Sequence, residues 1–207
     1  MARKTKEEAL KTRVSLLKAA LRVFSRQGYT ATTLEDVAHE AGVTRGAIYW
    51  HFGSKAELYL ALMNEYSDRG SNIVQAAAAE GGGLVVILRR VFVRLLEAVE
   101  SDPELREMME ISLFKTERST DLQDALAQRT AGNRQLIDSI AAVMRQGIDS
   151  QDLRTDMDPY EMSRAFLGLQ NGLIYMWLQD RGSFSLKESA PNQADNFFNG
   201  ILRREAK

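Results

Sequence analysis

The chain has 207 residues, 44% of them apolar and 27% charged, which suits one moderate domain plus a small one, and rules out disordered and low-complexity classes. It holds no cysteine and only two histidines, His39 and His51, so disulfide frameworks, thiolate metal sites and cysteine nucleophiles are excluded and a histidine metal site nearly so. The net charge of −1 hides an asymmetry: residues 1–60 carry ten basic and six acidic side chains, whereas the remainder carries 17 and 22, so a cationic module precedes an acidic body.

From the N-terminus, Met1 to Glu8 is charged and lacks an apolar signal region, so the expected compartment is the cytoplasm. Thr5 to Glu8 fits a capping box. An amphipathic helix follows, with Leu10, Val14, Leu17, Leu21 and Phe24 spaced three and four apart, and Gly28 stands where a left-handed terminator belongs. Thr33 opens a short second helix through Ala41, closed by Gly42. Thr44 opens a third of about two turns, ending near Phe52 and Gly53. Ser54 to Glu57 is another capping box and starts a long helix to about Ala79. Gly81 to Gly83 breaks it, and Leu84 to Val99 resumes the helical period. Asp102-Pro103 and Asp158-Pro159 are cap-plus-proline starts. They frame helices expected near 103–118, 121–149 and 159–180, the last ended by Gly182. A final helix is expected near 191–204. No alternating strand pattern bounded by turns occurs, and no repeat or apolar run near the ~20 residues of a membrane span. The reading is all-α with about nine helices.

Function concentrates in the second and third helices. They are short and joined by Ala41-Gly42-Val43-Thr44, a helix-turn-helix signature. Leu34, Val37, Ala38, Val43, Ile48 and Phe52 supply an inner face. Arg45, Gly46, Tyr49 and Trp50 are left over on the third helix, two pairs of i,i+4 neighbours. An arginine at a helix start can offer two parallel donors to guanine. Thr33 and Ser54 lie at helix N-termini, where free N–H groups attract anions, beside Lys55 and His51.

The runs Thr33 to Ala38, Ala41 to Phe52 and Ser54 to Leu58 resemble the DNA-binding domain of the TetR family of bacterial repressors. The opening Met1 to Ala9 and the block Val43 to Phe52 are further similar to its AcrR/TtgR-like branch, the repressors of multidrug efflux pumps. Beyond residue 60 the likeness thins but persists at Met109 to Ile111, Gly172 to Ile174, Trp177-Leu178 and Ser183 to Leu186. The resemblance implies a three-helix DNA-binding domain at 1–54 and a helical ligand-binding and dimerisation domain at 55–207. It implies a homodimer on double-stranded, palindromic operator DNA, released by a small molecule. Thr44, Arg45, Gly46, Tyr49 and Trp50 match the recognition helix. Thr33, His51 and Lys55 match phosphate contacts, and Arg3 to Lys6 matches a basic arm.

For the effector, soft apolar material is available at Met63, Tyr66, Leu113, Phe114 and Tyr175. The resemblance places Met109, Glu110, Leu167 and Asn171 at pocket-lining positions. Met109 and Leu113 stand where some relatives carry polar residues, so the effector's hydrogen-bond pattern does not carry over. A lipophilic or aromatic compound is expected, with no cofactor. Gln170 and Asn171 interrupt an apolar stretch, and buried amides need partners. Ala165, Gly168 and Gly172 form a small-residue face that suits either a tight spot in the monomer core or an interface. The family dimerises through its last two long helices, which favours residues 160–178 and 191–203. Alternatives are a regulator of a metabolic operon sensing a metabolite such as an acyl-CoA, and a helical enzyme. Clustered basic residues are missing from 100–180 and histidine and cysteine from the body, which disfavours both, so no enzyme activity is expected.

Overall fold

The computed structural model describes residues 6–116 and 120–202. They form nine α-helices: α1 (Lys6–Ala31), α2 (Leu34–Glu40), α3 (Arg45–His51), α4 (Lys55–Ala79), α5 (Leu84–Ser101), α6 (Pro103–Phe114), α7 (Gln123–Asp149), α8 (Pro159–Gln179) and α9 (Leu186–Ile201). A single 3₁₀ turn spans Thr120–Leu122. Among the described residues the one extended pairing is a bridge between Leu153 and Leu202. Thr5, and Arg3 and Lys4 of the basic arm, lie outside the described residues.

Contacts divide the chain into two units, residues 1–68 with 104–127 and residues 69–103 with 128–207. The division falls inside α4, after Asp68, and it places α6 with the N-terminal helices.

In the first unit, Leu16, Leu17, Ala20, Val23 and Phe24 of α1 meet Val37 and Ala38 of α2, Ile48 of α3 and Leu58, Tyr59 and Leu62 of α4 in one core. Phe24, Tyr29 and Tyr59 pack ring to ring at 5.5–6.3 Å. Leu10 and Val14, expected on the buried stripe of α1, are 59% and 44% exposed, and the buried residues of α1 begin only at Leu16. Gly28 has φ 77° and ψ 172°, a region essentially restricted to glycine, and the helical backbone of α1 breaks there, at the glycine expected to terminate it, before a last short turn to Ala31.

In the second unit α5 packs most extensively on α9, where Ala190 and Ala194 are fully buried and allow close approach. Phe92, Phe166, Phe197 and Phe198 form an aromatic cluster between α5, α8 and α9. Ser163, buried on α8, donates to the Ile137 carbonyl of α7 at 3.0 Å. The last helix starts at Leu186, five residues before the expected position. Ser185 caps it, accepting from the Glu188 N–H, and Pro191 lies within its second turn. Glu100 of α5 completes the cap: its carboxylate accepts from the Lys187 N–H at 2.6 Å and from the Ser185 hydroxyl at 3.0 Å. That placement puts a negative charge at the positive end of the helix dipole.

Candidate nucleic-acid interface and effector residues

The N-terminus of α2 is built by a reciprocal cap. The Thr33 hydroxyl accepts from the Asp36 N–H at 3.1 Å, and the Asp36 carboxylate accepts from the Thr33 N–H at 2.9 Å. These bonds hold the Asp36 carboxyl below its ordinary range, the Thr33 backbone N–H foremost. Glu40 closes the other end. It accepts from Arg26 and Arg22 of α1 at 2.7 Å each, which lowers its carboxyl too, and so braces α2 against α1. Gly42, at φ 67°, makes the turn, and the Val43 N–H returns to the Ala38 carbonyl at 3.0 Å. Val43 is half-buried against the core, as the inner-face reading expects.

Thr44 caps α3, accepting from the Ala47 N–H. Ile48 and Phe52 are buried, which turns the opposite face outward. Arg45, Gly46, Tyr49 and Trp50 are exposed there, Trp50 to 73%. Nothing lies within 4 Å of where a Gly46 Cβ would stand, so the backbone is open to a groove. The five recognition-helix residues named from the sequence therefore share one accessible surface. Arg45 does not stand alone on it. Its Nε pairs with Glu35 of α2 at 2.7 Å, and its guanidinium lies over the Tyr49 ring at 5.6 Å. The Tyr49 hydroxyl donates to the same Glu35 oxygen at 3.2 Å. Hydrogen bonding with Tyr49, then the Glu35 charge, raises the Arg45 pKa above its ordinary value.

His51 is half-buried, its ring edge-on to Trp50 at 4.5 Å. Ser54 caps α4, accepting from the Glu57 N–H, but the Glu57 carboxylate reaches Gly53 rather than Ser54. Lys55 has a different duty from a free phosphate contact. Its ammonium donates to the carbonyls of Tyr29, Thr30 and Thr32 at 2.9, 3.2 and 2.8 Å and lies 4.3 Å from the centroid of the Tyr29 ring. An ammonium has three protons. Each of the three carbonyls thus has one, and Lys55 ties the start of α4 to the end of α1.

A second tie to the same place comes from α6. The Tyr29 N–H donates to the Lys115 carbonyl at 3.0 Å, the Lys115 ammonium donates to the Ser25 carbonyl, and the Tyr29 hydroxyl donates to Asp121 at 2.6 Å. Burial, then the Asp121 bond, pushes the Tyr29 phenol above its ordinary range. These residues were not singled out from the sequence. The bonded pairs are 86 to 92 positions apart, and no local pattern links them.

The residues named for the effector fall in both units. Met63 on α4 and Met109 and Glu110 on α6 are buried, Tyr66 is half-buried, and Leu113 and Phe114 are exposed at the end of α6. On α8, Leu167 is half-buried, whereas Asn171 and Tyr175 are exposed and do not enter the interior of their own unit. The buried amide is Gln170, which donates to the Phe92 carbonyl at 3.3 Å and needs no ligand to satisfy it. A cleft of about 230 Å³ lies elsewhere, between α1 and α4 at Arg13, Leu60, Ala61 and Asn64. Among the described residues no cluster of His, Cys, Asp or Glu could hold a metal ion, and no helix is long and apolar enough to cross a membrane.

Residues 16–62 match the bacterial regulatory proteins of the tetR family, and residues 84–202 match the C-terminal region of MAATS-type transcriptional repressors. The chain is 35% identical over 193 residues to the HTH-type transcriptional regulator AcrR of Shigella flexneri, covering 92% of this chain and 89% of that protein. It is 32% identical to TtgR of Pseudomonas putida over 86% of this chain and 85% of the relative. Among solved structures it resembles NalD, the secondary repressor of the MexAB-OprM multidrug efflux pump in Pseudomonas aeruginosa. There the TM-score is 0.85 at 27% identity, with 97% of this chain and all of that one covered. The SmeT–triclosan complex superposes with a TM-score of 0.82 at 26% identity, over 93% and 92% of the two chains. The chain belongs to the TetR family of bacterial transcriptional regulators.

Proposed function

We propose that this regulator represses a multidrug efflux operon from the cytoplasm, and that a lipophilic aromatic compound releases it from a palindromic operator. The observation that carries the reading is the exposed face of α3. Arg45, Gly46, Tyr49 and Trp50 form an open, partly aromatic surface on a helix braced from behind by Ile48 and Phe52. Thr33 and His51 flank it as phosphate contacts, and Thr44 starts it. Exposed aromatics of this kind on a soluble surface indicate a binding face.

The effector reading rests on Met63, Tyr66, Met109 and Glu110 lying on α4 and α6, which are the two helices tied to the end of α1. A compound that shifts either helix moves the reading head through Lys55 or Lys115. The dimer reading rests on α8. Among the described residues outside its own helix backbone, none comes within 4 Å of a Cβ built at Gly168 or Gly172, which favours an interface over a tight spot of the monomer core. With Tyr175 and Met176 exposed beside it, this face suits a two-fold contact with α8 and α9 of a second copy.

The test is a gel shift with the DNA upstream of the regulator and its neighbouring operon, with triclosan as aromatic probe. Retardation at nanomolar protein, relieved by the probe, supports the reading. Binding that no lipophilic aromatic relieves removes the efflux assignment and keeps only the regulator.

A further inference from the structure

We infer that Glu35 is a positioning residue for base readout: it holds the Arg45 guanidinium by its Nε, so that only the two terminal amino groups remain to meet a guanine. The inference rests on reading α3 as the DNA-reading helix. The observation is a closed triangle of side chains from two helices. Glu35 Oε1 accepts from Arg45 Nε at 2.7 Å and from the Tyr49 hydroxyl at 3.2 Å, and Arg45 lies over the Tyr49 ring.

The triangle contributes little to folding. The Arg45 and Glu35 side chains are 71% and 42% exposed, and pairs so exposed are weak and screened by salt. The bracing of α2 against α1 is performed elsewhere, by Glu40 with Arg22 and Arg26. A carboxylate on a surface that faces phosphates also repels them. Its presence there calls for a compensating role, and the geometry supplies one. Arginine can present either its Nε edge or its two terminal amino groups to a bidentate acceptor, and guanine O6 and N7 need two parallel donors. Glu35 occupies Nε, which removes the first mode and leaves the second. Holding a side chain rich in rotamers before contact also reduces the ordering cost on binding.

The experiment is selection from a randomised palindromic DNA library, followed by titration of the selected site and of single-base variants. The proteins are the wild type, Arg45→Ala, Glu35→Ala and Glu35→Gln. The wild type selects a guanine in each half-site that Arg45→Ala no longer prefers, a discrimination of roughly 5- to 150-fold. Glu35→Ala loses most of that preference at the same base pair. Glu35→Gln keeps it, because its amide oxygen still accepts from Nε, while its affinity for unselected DNA rises with the lost negative charge.

Three results overturn the inference. If Glu35→Ala and Glu35→Gln both tighten all DNA alike and keep the guanine preference, Glu35 is only a repulsive charge. If Glu35→Ala loses preference at a different base pair, Glu35 reads a base itself. If Arg45→Ala selects as the wild type does, or the wild type selects nothing, the reading of α3 fails along with the inference. Circular dichroism on each variant checks that α2 and α3 are still formed.

Discussion

Replacing Lys55 with methionine separates two roles for this residue that the sequence cannot tell apart. Methionine keeps the length and apolar stem and removes the ammonium. The loss is three charge-assisted hydrogen bonds at 2.8–3.2 Å and a cation–π contact at 4.3 Å. A hydrogen bond to a charged group contributes about 1.5–3 kcal/mol, but three bonds to one ammonium do not add. The site is half-buried, so water replaces part of what is lost. The net cost is about 2–4 kcal/mol. Urea unfolding at fixed protomer concentration measures it as a lower midpoint at unchanged slope. In parallel, operator affinity is titrated against salt. A free phosphate contact would leave stability unchanged and make the salt slope shallower by about one. The clamp predicts the reverse, a destabilised fold and an unchanged salt slope. An unaltered unfolding midpoint would refute the clamp.

Four further outcomes follow from the geometry. Gly28→Ala forces a φ of 77° and ψ of 172° on a residue with a Cβ, and should cost about 1–3 kcal/mol in the same unfolding assay. Arg45→Ala should lose ~1–3 kcal/mol of discrimination between operator and random DNA in competitive gel shifts. Asp36 and Glu40 are held below the ordinary carboxylate range when folded, so their contribution is present above that range and is lost as pH falls through the lowered values. Acid unfolding should therefore set in below about pH 4, and Asp36→Asn should flatten that limb. Gly168→Trp should give folded monomers in sedimentation and abolish operator binding, since among the described residues outside its own helix backbone nothing lies within 4 Å of a Cβ at that position.

The helix-turn-helix was legible because its punctuation is local. Thr33, Gly42, Thr44 and Ser54 each set a cap or turn within four residues, and the inner face of Leu34, Val37, Ile48 and Phe52 follows from helical spacing. Periodicity alone overreached at Leu10 and Val14, because a stripe shows which face is apolar and not whether anything covers it. The start of α9 lay five residues before the expected position, and the carboxylate that completes its Ser185 cap comes from Glu100, 85 positions away, which no local pattern shows. Gln170 appeared to need a ligand until the Phe92 carbonyl was placed against it. The ties at Tyr29, from Lys55, Lys115 and Asp121, were illegible for the same reason. They join residues distant in sequence whose types suit many roles. Through these ties both Lys55 at the start of α4 and Lys115 just after α6 reach the end of α1.

The central claim is that effector and operator oppose each other through one protein. Calorimetry of the aromatic probe, with the free protein and with the protein saturated by operator DNA, measures this directly. An effector that releases DNA must prefer the state that DNA does not, and linkage makes the effect reciprocal. The account predicts that operator weakens probe binding, typically 5- to 150-fold for such couplings, by the same factor as the probe weakens operator binding. Equal probe affinities with and without operator would contradict it.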